Sequence, residues 1–310
     1  MEEELKEYHF IITEDGEGER IDKYLNVLME SMSRSYLQKL LSDGYVTVNG
    51  KVIKANYRLK SEDNICLLLP PAVTPDIAPE NIPLSILYED NDVIVVNKPK
   101  GMVVHPAAGH YSGTLVNALL YHCKENLSGI NGILRPGIVH RFDMNTTGSI
   151  IVCKNDASHA FIANQLKEHS IVRKYRAIVC GNIKEDDGTI HTLIGRHPID
   201  RKKMAVVSIG GKDAITHYRV LERFGNYTYI ECCLETGRTH QIRVHMSHIG
   251  HPLLGDDVYA AGNNHSFKTN GQTLHAMILG FIHPVTNEYI ETTAPLPEYF
   301  IKILDTLHKK

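Results

Sequence analysis

No stretch of this 310-residue chain approaches the ~20 consecutive apolar residues that a membrane-spanning helix needs. The opening MEEELKEY is acidic and leads into no apolar run, so a protein free of membranes and placed in the cytoplasm is expected. Cys-x-x-Cys is absent as well. The six cysteines (Cys66, Cys123, Cys153, Cys180, Cys232 and Cys233) are scattered through strand-like runs and read as reduced core residues. A charge excess is also missing: 33 Lys and Arg against 36 Asp and Glu leave a net charge of −3. Such a chain is no polycation, and any affinity for nucleic acid has to come from local clusters. There is no internal repeat and no low-complexity tract. What is there, 43% hydrophobic and 22% charged residues, allows one domain of good size plus a smaller one.

Arg20 to Leu69 reads as a compact unit. Ile21, Tyr24, Leu25, Leu28 and Met29 recur at helical spacing, and Tyr36, Leu37, Leu40 and Leu41 repeat the pattern between a Ser33 N-cap and Gly44. "YVTVNGKVI" alternates about Asn49-Gly50, a dipeptide suited to a tight hairpin, and "DNICLLL" supplies a further strand. Residues 70–83 hold five prolines in fourteen positions, which neither continue a helix nor donate to an interior sheet, so they read as a linker. Beyond it, strands are expected at "DVIVVNKP", "SIIVCKN", "KYRAIVCGNI", "AITHYRVLERF" and "YTYIECCLET". Helices are expected at "TLVNALLYHC", with Leu115, Ala118 and Leu119 inward, and at "DASHAFIANQLKEH", begun by Asn155 or Asp156. "THQIRVHMSHIGHP" fits either period, and Gly250 followed by Pro252 favours a helix. The expected fold is α+β: a large domain over 84–310 with a mixed, largely antiparallel sheet, and a small N-terminal α/β domain over 1–69, its core 20–69.

Three groups of residues could carry chemistry. Arg34 and Gln38 lie one helical turn apart opposite the apolar face, with Lys39, Lys51, Lys54 and Arg58 nearby. Such a face can bind phosphates, and a solvated helix surface is the plainer reading. In "GIVHRFDMNTTGSIIVCKND" the carboxylate of Asp143 lies between His140-Arg141 and the turn Thr146-Thr147-Gly148, at the entrance to an apolar strand. An acid there needs a partner, which a distant Arg-rich segment could supply; a surface ion pair or an Asx turn would explain the same residue. Finally, "RHPIDRKKMAV" gathers Arg196, Arg201, Lys202 and Lys203 within eight residues, and "VRKYR" adds Arg173, Lys174 and Arg176. These are a solvated charged loop by default and a phosphate track if RNA is bound.

"RIDKYLNVLMESMSRSYLQKLLSDGYVTVNGKVI" resembles the S4 RNA-binding domain in its R-I-D-x-x-L opening, its S-R-x-x-x-Q-K helix and its G-x-V-x-V-N-G hairpin. "GIVHRFDMNTTG" is similar to the H-R-[LF]-D-x-x-T-[ST]-G motif of the RNA pseudouridine synthases of the RluA and RluD type. The likeness continues through "VIVVNKPKGMVVHPAAGHYSGTLVNALL", "KYRAIV" and "LETGRTHQIRVHMSHIGHPLLGDDVYA", over nearly the whole chain. Departures are small: Phe142 stands where leucine is commoner, and Met144 and Asn145 where several members carry charged residues.

The resemblance implies an isomerase that converts uridine to pseudouridine in structured RNA, with large-subunit ribosomal RNA as target, no metal and no organic cofactor; nothing in the sequence suggests a coiled coil, and a monomer is expected. It implies Asp143 as nucleophile, Arg243 as the cation beside it, Tyr175 against the base and as a candidate to take the C5 proton, and Arg141 in the gap left by an extruded nucleotide. His140, Thr146, Thr147, Gly148, Gly237, Arg238 and His240 would shape the substrate pocket. Arg34, Gln38, Lys39, Arg173, Lys174, Arg201, Lys202 and Lys203 would meet the RNA backbone. The chemistry fits a carboxylate, which can attack ribose carbon 1 and leave again without a cofactor. The base has to swing out of its stack, because a stacked helix offers no path to the glycosidic bond.

Two other classes compete. His240, His245, His248 and His251 fall within twelve residues and could hold zinc, although the spacing lacks the H-E-x-x-H turn of a metallohydrolase. A catalytically silent RNA-binding or ribosome-assembly factor would carry the same basic runs. If these runs carry the RNA, affinity should fall steeply between low and moderate salt in a filter-binding titration. A flat response would remove the phosphate-track reading.

Overall fold

The computed structural model describes residues 6–309 apart from 30, 31, 33, 70–76, 107–109, 125, 131–134, 201, 202, 261–266 and 268. The Ser33 N-cap, the basic pair Arg201-Lys202 and the first part of the proline-rich linker therefore lie outside the described residues. The chain divides into two compact units, Met1–Pro75 and Asp76–Lys310.

In the first unit, β1 (Lys6–Ile11), β2 (Val46–Val48), β3 (Lys51–Val52) and β4 (Asn64–Leu69) form an antiparallel sheet in the order β1-β4-β2-β3. The helices α1 (Ile21–Leu28) and α2 (Arg34–Ser42) bring Ile21, Leu25, Leu37 and Leu41 into one core with Val46, Ile65 and Leu67 of the sheet. Leu28 and Tyr36, which share the apolar spacing, are exposed at its rim. Between the helices lies a buried acid, Asp22. Its carboxylate accepts hydrogen bonds from Arg20 (3.0 and 3.1 Å), from Arg34 (3.0 and 2.8 Å) and from Gln38 (2.6 Å). Burial alone would raise this carboxyl; Gln38, Arg20 and Arg34 outweigh it and hold the group at about 2. Arg34 and Gln38 thus spend hydrogen bonds inside the unit, although Gln38, like Lys39, is exposed.

The second unit is built on one ten-stranded sheet. Its elements are β5 (Ile86–Glu89), β6 (Val93–Lys98), α3 (Leu115–Cys123), β7 (Thr147–Cys153), α4 (Asp156–Lys167), β8 (Val172–Cys180), β9 (Asp187–Arg196) and β10 (Met204–Val206). They are followed by β11 (Lys212–Arg223), β12 (Tyr227–Leu234), α5 (Gln241–His248), β13 (Leu274–Ile282), β14 (Tyr289–Thr293) and α6 (Glu298–His308). The strand order is β10-β9-β11-β12-β8-β13-β7-β6-β5, with β14 beside β13. The architecture is mixed, with antiparallel pairing dominant. Among the described residues the one parallel pair is β7 with β13, where Thr147 and Gly148 lie opposite His275 and Ala276.

That junction sits in the middle of the core. Every residue of β7 is buried; Ile150 and Val152 join one apolar cluster while Ile151 and Cys153 join another, so the strand is covered on both faces. Gly148 explains how the strands approach so closely: its φ is +108°, and a Cβ there would lie 2.2 Å from the carbonyl oxygen of Ala276. Only glycine fits. The helices start where the sequence places them, α4 on the side chain of Asn155, which accepts from the amide of Ser158, and α3 on a Thr114 capping box. "THQIRVHMSHIGHP" takes the helical option as α5. Among the described residues no helix is long and apolar enough to cross a membrane.

The Asp22 network gives the first unit a pH signature. A carboxyl held at about 2 when folded and near 3.8 when unfolded stabilises the unit above pH ~4, and that contribution is lost as pH falls toward 2. Asp22→Asn should remove this dependence. By mass-spectrometric hydrogen exchange on the full chain, the same change should speed exchange across α1 and α2 about tenfold at neutral pH, with the sheet of the second unit unaffected.

Candidate active site

Asp143 lies in the turn that feeds β7, and its carbonyl accepts the amide of Thr146 at 3.0 Å. The next carbonyl, of Met144, is held from below by Lys98, a fully buried lysine whose Nζ donates to Met144 (3.0 Å), Pro99 (2.8 Å) and Met102 (2.9 Å). Three acceptors match the three N–H groups of an ammonium. Burial pushes that ammonium down to about 7, against the pull of the Asp143 charge. On the strand side, the hydroxyl of Thr146 accepts from Gln272 (3.1 Å). His275 donates through Nε2 to the carbonyl of Ala294 (3.2 Å), so its Nδ1 accepts from the hydroxyl of Thr147 (2.8 Å). His140 accepts the amide of Ile151 (3.1 Å), and burial together with Arg173 pushes its imidazole down to about 3. Its ring packs edge-on against Phe142, which packs edge-on against Tyr175. Thr146, Thr147, Gly148 and His140 therefore hold the loop and strand in place.

Arg243 comes from α5 and is 4% exposed. Its Nη1 donates to Asp143 Oδ2 at 2.9 Å, while Nε and Nη2 form a fork on Asp256 at 2.7 and 2.9 Å. Asp256 is itself fixed by the amides of Val258 and Tyr259, both at 3.0 Å. Burial works against the Arg243 charge, and Asp256 with Asp143 outweighs it, so the guanidinium is held above its ordinary value. Asp256, which burial alone would raise, is held below the usual carboxylate range mainly by Arg243.

His240 touches the other oxygen, Nε2 to Asp143 Oδ1 at 3.4 Å. It begins α5 with a left-handed backbone, φ 57°, an unusual conformation for a residue with a side chain. Burial, aided by Arg243, outweighs the attraction of Asp143 and pulls the imidazole below its ordinary value. The Tyr259 hydroxyl receives the amide of Met204 (2.9 Å) and lies 2.8 Å from His240 Nδ1. With Nε2 set against a carboxylate, the favoured tautomer carries its proton on Nε2, and Nδ1 then accepts from the Tyr259 hydroxyl.

These groups line a cavity of about 550 Å³, within the range of small-ligand sites. Its walls carry five basic residues, Arg141, Lys167, Arg173, Arg238 and Arg243, and among the described residues Asp143 is the one acid. Tyr175 faces it from β8, its phenol pushed up to about 12 by burial, with Asp143 adding to the rise. Arg173, two residues earlier, shares that face; Lys174, between them, points to the other side of the sheet and does not line the cavity. Arg141 is exposed, and Arg238 donates to the carbonyl of Asp213 at 2.7 Å. Gly237 and Thr239 complete this rim. Lys203 stands 4.0 Å from Asp200, away from the cavity. The clustered histidines go separate ways: His245 lies between the hydroxyls of Thr216 (2.9 Å) and Thr192 (3.0 Å), and His251 bonds the carbonyl of Cys180 (3.0 Å). The sets that could hold a metal among the described residues lie elsewhere, at Glu7, His9 and Cys66 and at Asp90, Asp92 and His283.

Sequence reasoning passed over Asp256, Tyr259, Lys98 and Lys167. Asp256 and Tyr259 fall inside the quoted "LLGDDVYA", which was a signal without an assigned role.

A basic cavity around one arginine-paired carboxylate, on a mixed sheet, suits a polyanionic substrate that meets a single acid. The family model described as RNA pseudouridylate synthase matches residues 92–248, the S4 domain model matches 19–65, and the chain belongs to the RNA pseudouridine synthase family, whose members are isomerases. It is 51% identical over 297 residues, covering 96% of this chain and 97% of the relative, to "Uncharacterized RNA pseudouridine synthase YlyB" of Bacillus subtilis. It is 47% identical over 296 residues, 93% of each chain, to "Ribosomal large subunit pseudouridine synthase D" of Zymomonas mobilis. Among solved structures, "Human RNA Pseudouridylate Synthase Domain Containing 1" is similar with a TM-score of 0.56 and 26% identity, over 74% of this chain and 97% of that one.

The fork on Asp256 should matter as much as the contact it supports. Asp256→Asn leaves a buried guanidinium short of one counter-charge and should cost about 3 kcal/mol in denaturant unfolding, with turnover down about a hundredfold. Unchanged turnover would show that Arg243 needs no anchor.

Proposed function

We propose that this chain converts specific uridines of large-subunit ribosomal RNA to pseudouridine in the cytoplasm, acting as a monomer, with Asp143 as nucleophile on a flipped-out nucleotide. The observation that carries the reading is the 2.9 Å contact between Asp143 and a buried Arg243 inside a basic cavity. In this reading, the S4 unit over 1–69 grips structured RNA, residues 70–83 tether it, and the domain over 84–310 does the chemistry. The rRNA target follows from the printed name of relatives such as the Zymomonas protein.

Asp143 attacks carbon 1 of the ribose, and the bond to uracil N1 breaks with its electron pair going to the ring. The uracil turns, C5 attacks carbon 1, the carboxylate leaves, the C5 proton departs and N1 gains one. Atoms and charge balance without a cofactor. Arg243 keeps the carboxylate oriented and counterbalanced in the cavity, and His240 directs an N–H at its second oxygen. Tyr175 packs against the base; with its phenol raised to about 12 it is a neutral hydroxyl at neutral pH, better suited to contact than to proton removal. Arg141, exposed beside the cavity, supports the gap left by the flipped nucleotide and offsets part of the few kcal/mol of unstacking. Arg238 and the Thr146-Thr147-Gly148 turn shape the rim and floor.

A silent RNA-binding factor would need RNA contacts alone, and it gives no reason for a carboxylate inside the basic cavity. Pseudouridine mapping of ribosomal RNA from cells with and without the gene should show one or more sites lost. Complementation with Asp143→Ala should fail to restore them, at unchanged RNA affinity. Full modification by Asp143→Ala would overturn the assignment.

A further inference from the structure

Arg173 fits poorly with the backbone-contact role its sequence suggests. It is 7% exposed, and it lines the cavity beside Tyr175. Its Nη2 donates to the carbonyl of Glu235 at 2.6 Å, while Nε has no partner and no bond is made by Nη1 among the described residues. Among the described residues no carboxylate answers its charge: the acid of Glu235 is turned to His217 at 2.5 Å. Burial accordingly lowers the guanidinium from its ordinary value. Gly237 leaves it room, since a Cβ there would lie 2.8 Å from Nη1. A buried cation of this kind costs folding energy unless something else meets it.

What arrives in this cavity is a pyrimidine. Residues two apart on one strand face stand about 7 Å apart, close to the width of a uracil with its two carbonyl oxygens. A base lying on Tyr175 would therefore present an oxygen-bearing edge to Arg173. When the C1′–N1 bond breaks, its electron pair enters that ring and spreads over N1, O2 and O4. A fixed donor at such a position acts as an oxyanion hole does. Phosphates, by contrast, are better met by the exposed Arg141 and Lys167.

We propose that Arg173 is a catalytic residue that binds the uracil edge and stabilises the anionic uracil formed when the glycosidic bond breaks. This rests on the Asp143 reading above. The charge is relieved when C5 attacks carbon 1 and N1 takes up a proton, so Arg173 itself gains and loses nothing.

The test compares full-length wild type, Arg173→Met and Arg173→Lys under single-turnover conditions. The probes are unmodified large-subunit ribosomal RNA transcripts containing either uridine or 5-fluorouridine, with nucleosides read by mass spectrometry after digestion. Fluorine stabilises the uracil anion by itself, so the guanidinium should matter less there. Arg173→Met should slow uridine consumption about a hundredfold with RNA Kd within about threefold, slow 5-fluorouridine consumption less than about tenfold, and be partly rescued by lysine. Equal slowing on both bases, as a structural role would give, overturns the proposal. So does weaker RNA binding with an unchanged rate from the bound complex, which marks a phosphate contact. If Arg173→Met does not fold, the two-substrate comparison on Arg173→Lys decides by the same criterion. Asp143→Ala, run in parallel, separates the two readings: wild-type conversion by that variant, or a wild type inert on both RNAs, would sink the nucleophile and this inference with it.

Discussion

One guanidinium shared between two acids organises this molecule. Arg243 is almost wholly buried, and a buried arginine is tolerable only if its charge and its donors are answered. Asp256 answers most of them with a fixed fork, which leaves Nη1 pointing in one direction, at Asp143. The partly exposed acid thereby receives an oriented cation whose place does not depend on it. That asymmetry suits the nucleophilic role proposed for Asp143, because the cation stays where it was when the carboxylate forms and releases a bond.

Several weaker contacts serve the same end from other directions. Lys98 holds the carbonyl next to Asp143, Tyr259 bonds the ring of His240, and Gly148 lets β7 close on β13 beneath the loop. They come from three separate regions of the chain. Each is buried or backed by a hydrogen bond, so Asp143 hangs in a frame while Arg141 and Lys167 at the cavity stay exposed.

Much of this was legible in advance. Residues with motif-level signals, Asp143, Tyr175 and Arg243, are brought to one cavity, and local signals such as the Asn155 cap and the Gly250 and Pro252 stop placed α4 and α5 well. Other features were not. The run "LHAMILGFI" gives β13, yet a short apolar stretch has no period to distinguish strand from buried helix, and β9, β14 and α6 passed unremarked for want of turn signals that strong. The bonds that Arg34 and Gln38 make to Asp22 were not visible, because helical periodicity sees one helix at a time, and it takes the packing of α1 on α2 to bring Asp22 beneath these surface side chains. Asp256 and Tyr259 act only through other side chains, which pattern alone does not express.

The parallel pairing of β7 with β13 has a temporal side. Hairpin neighbours such as β11 and β12 can find each other as they are made, but Thr147 meets His275 only after well over a hundred further residues have been synthesised, and β8 waits almost as long for β13. A nascent chain thus carries Asp143 long before it has the strand that closes beside β7. Until β13 has been made, the loop that holds this acid lacks its neighbour, and the cavity, which Leu274 helps to line, cannot form.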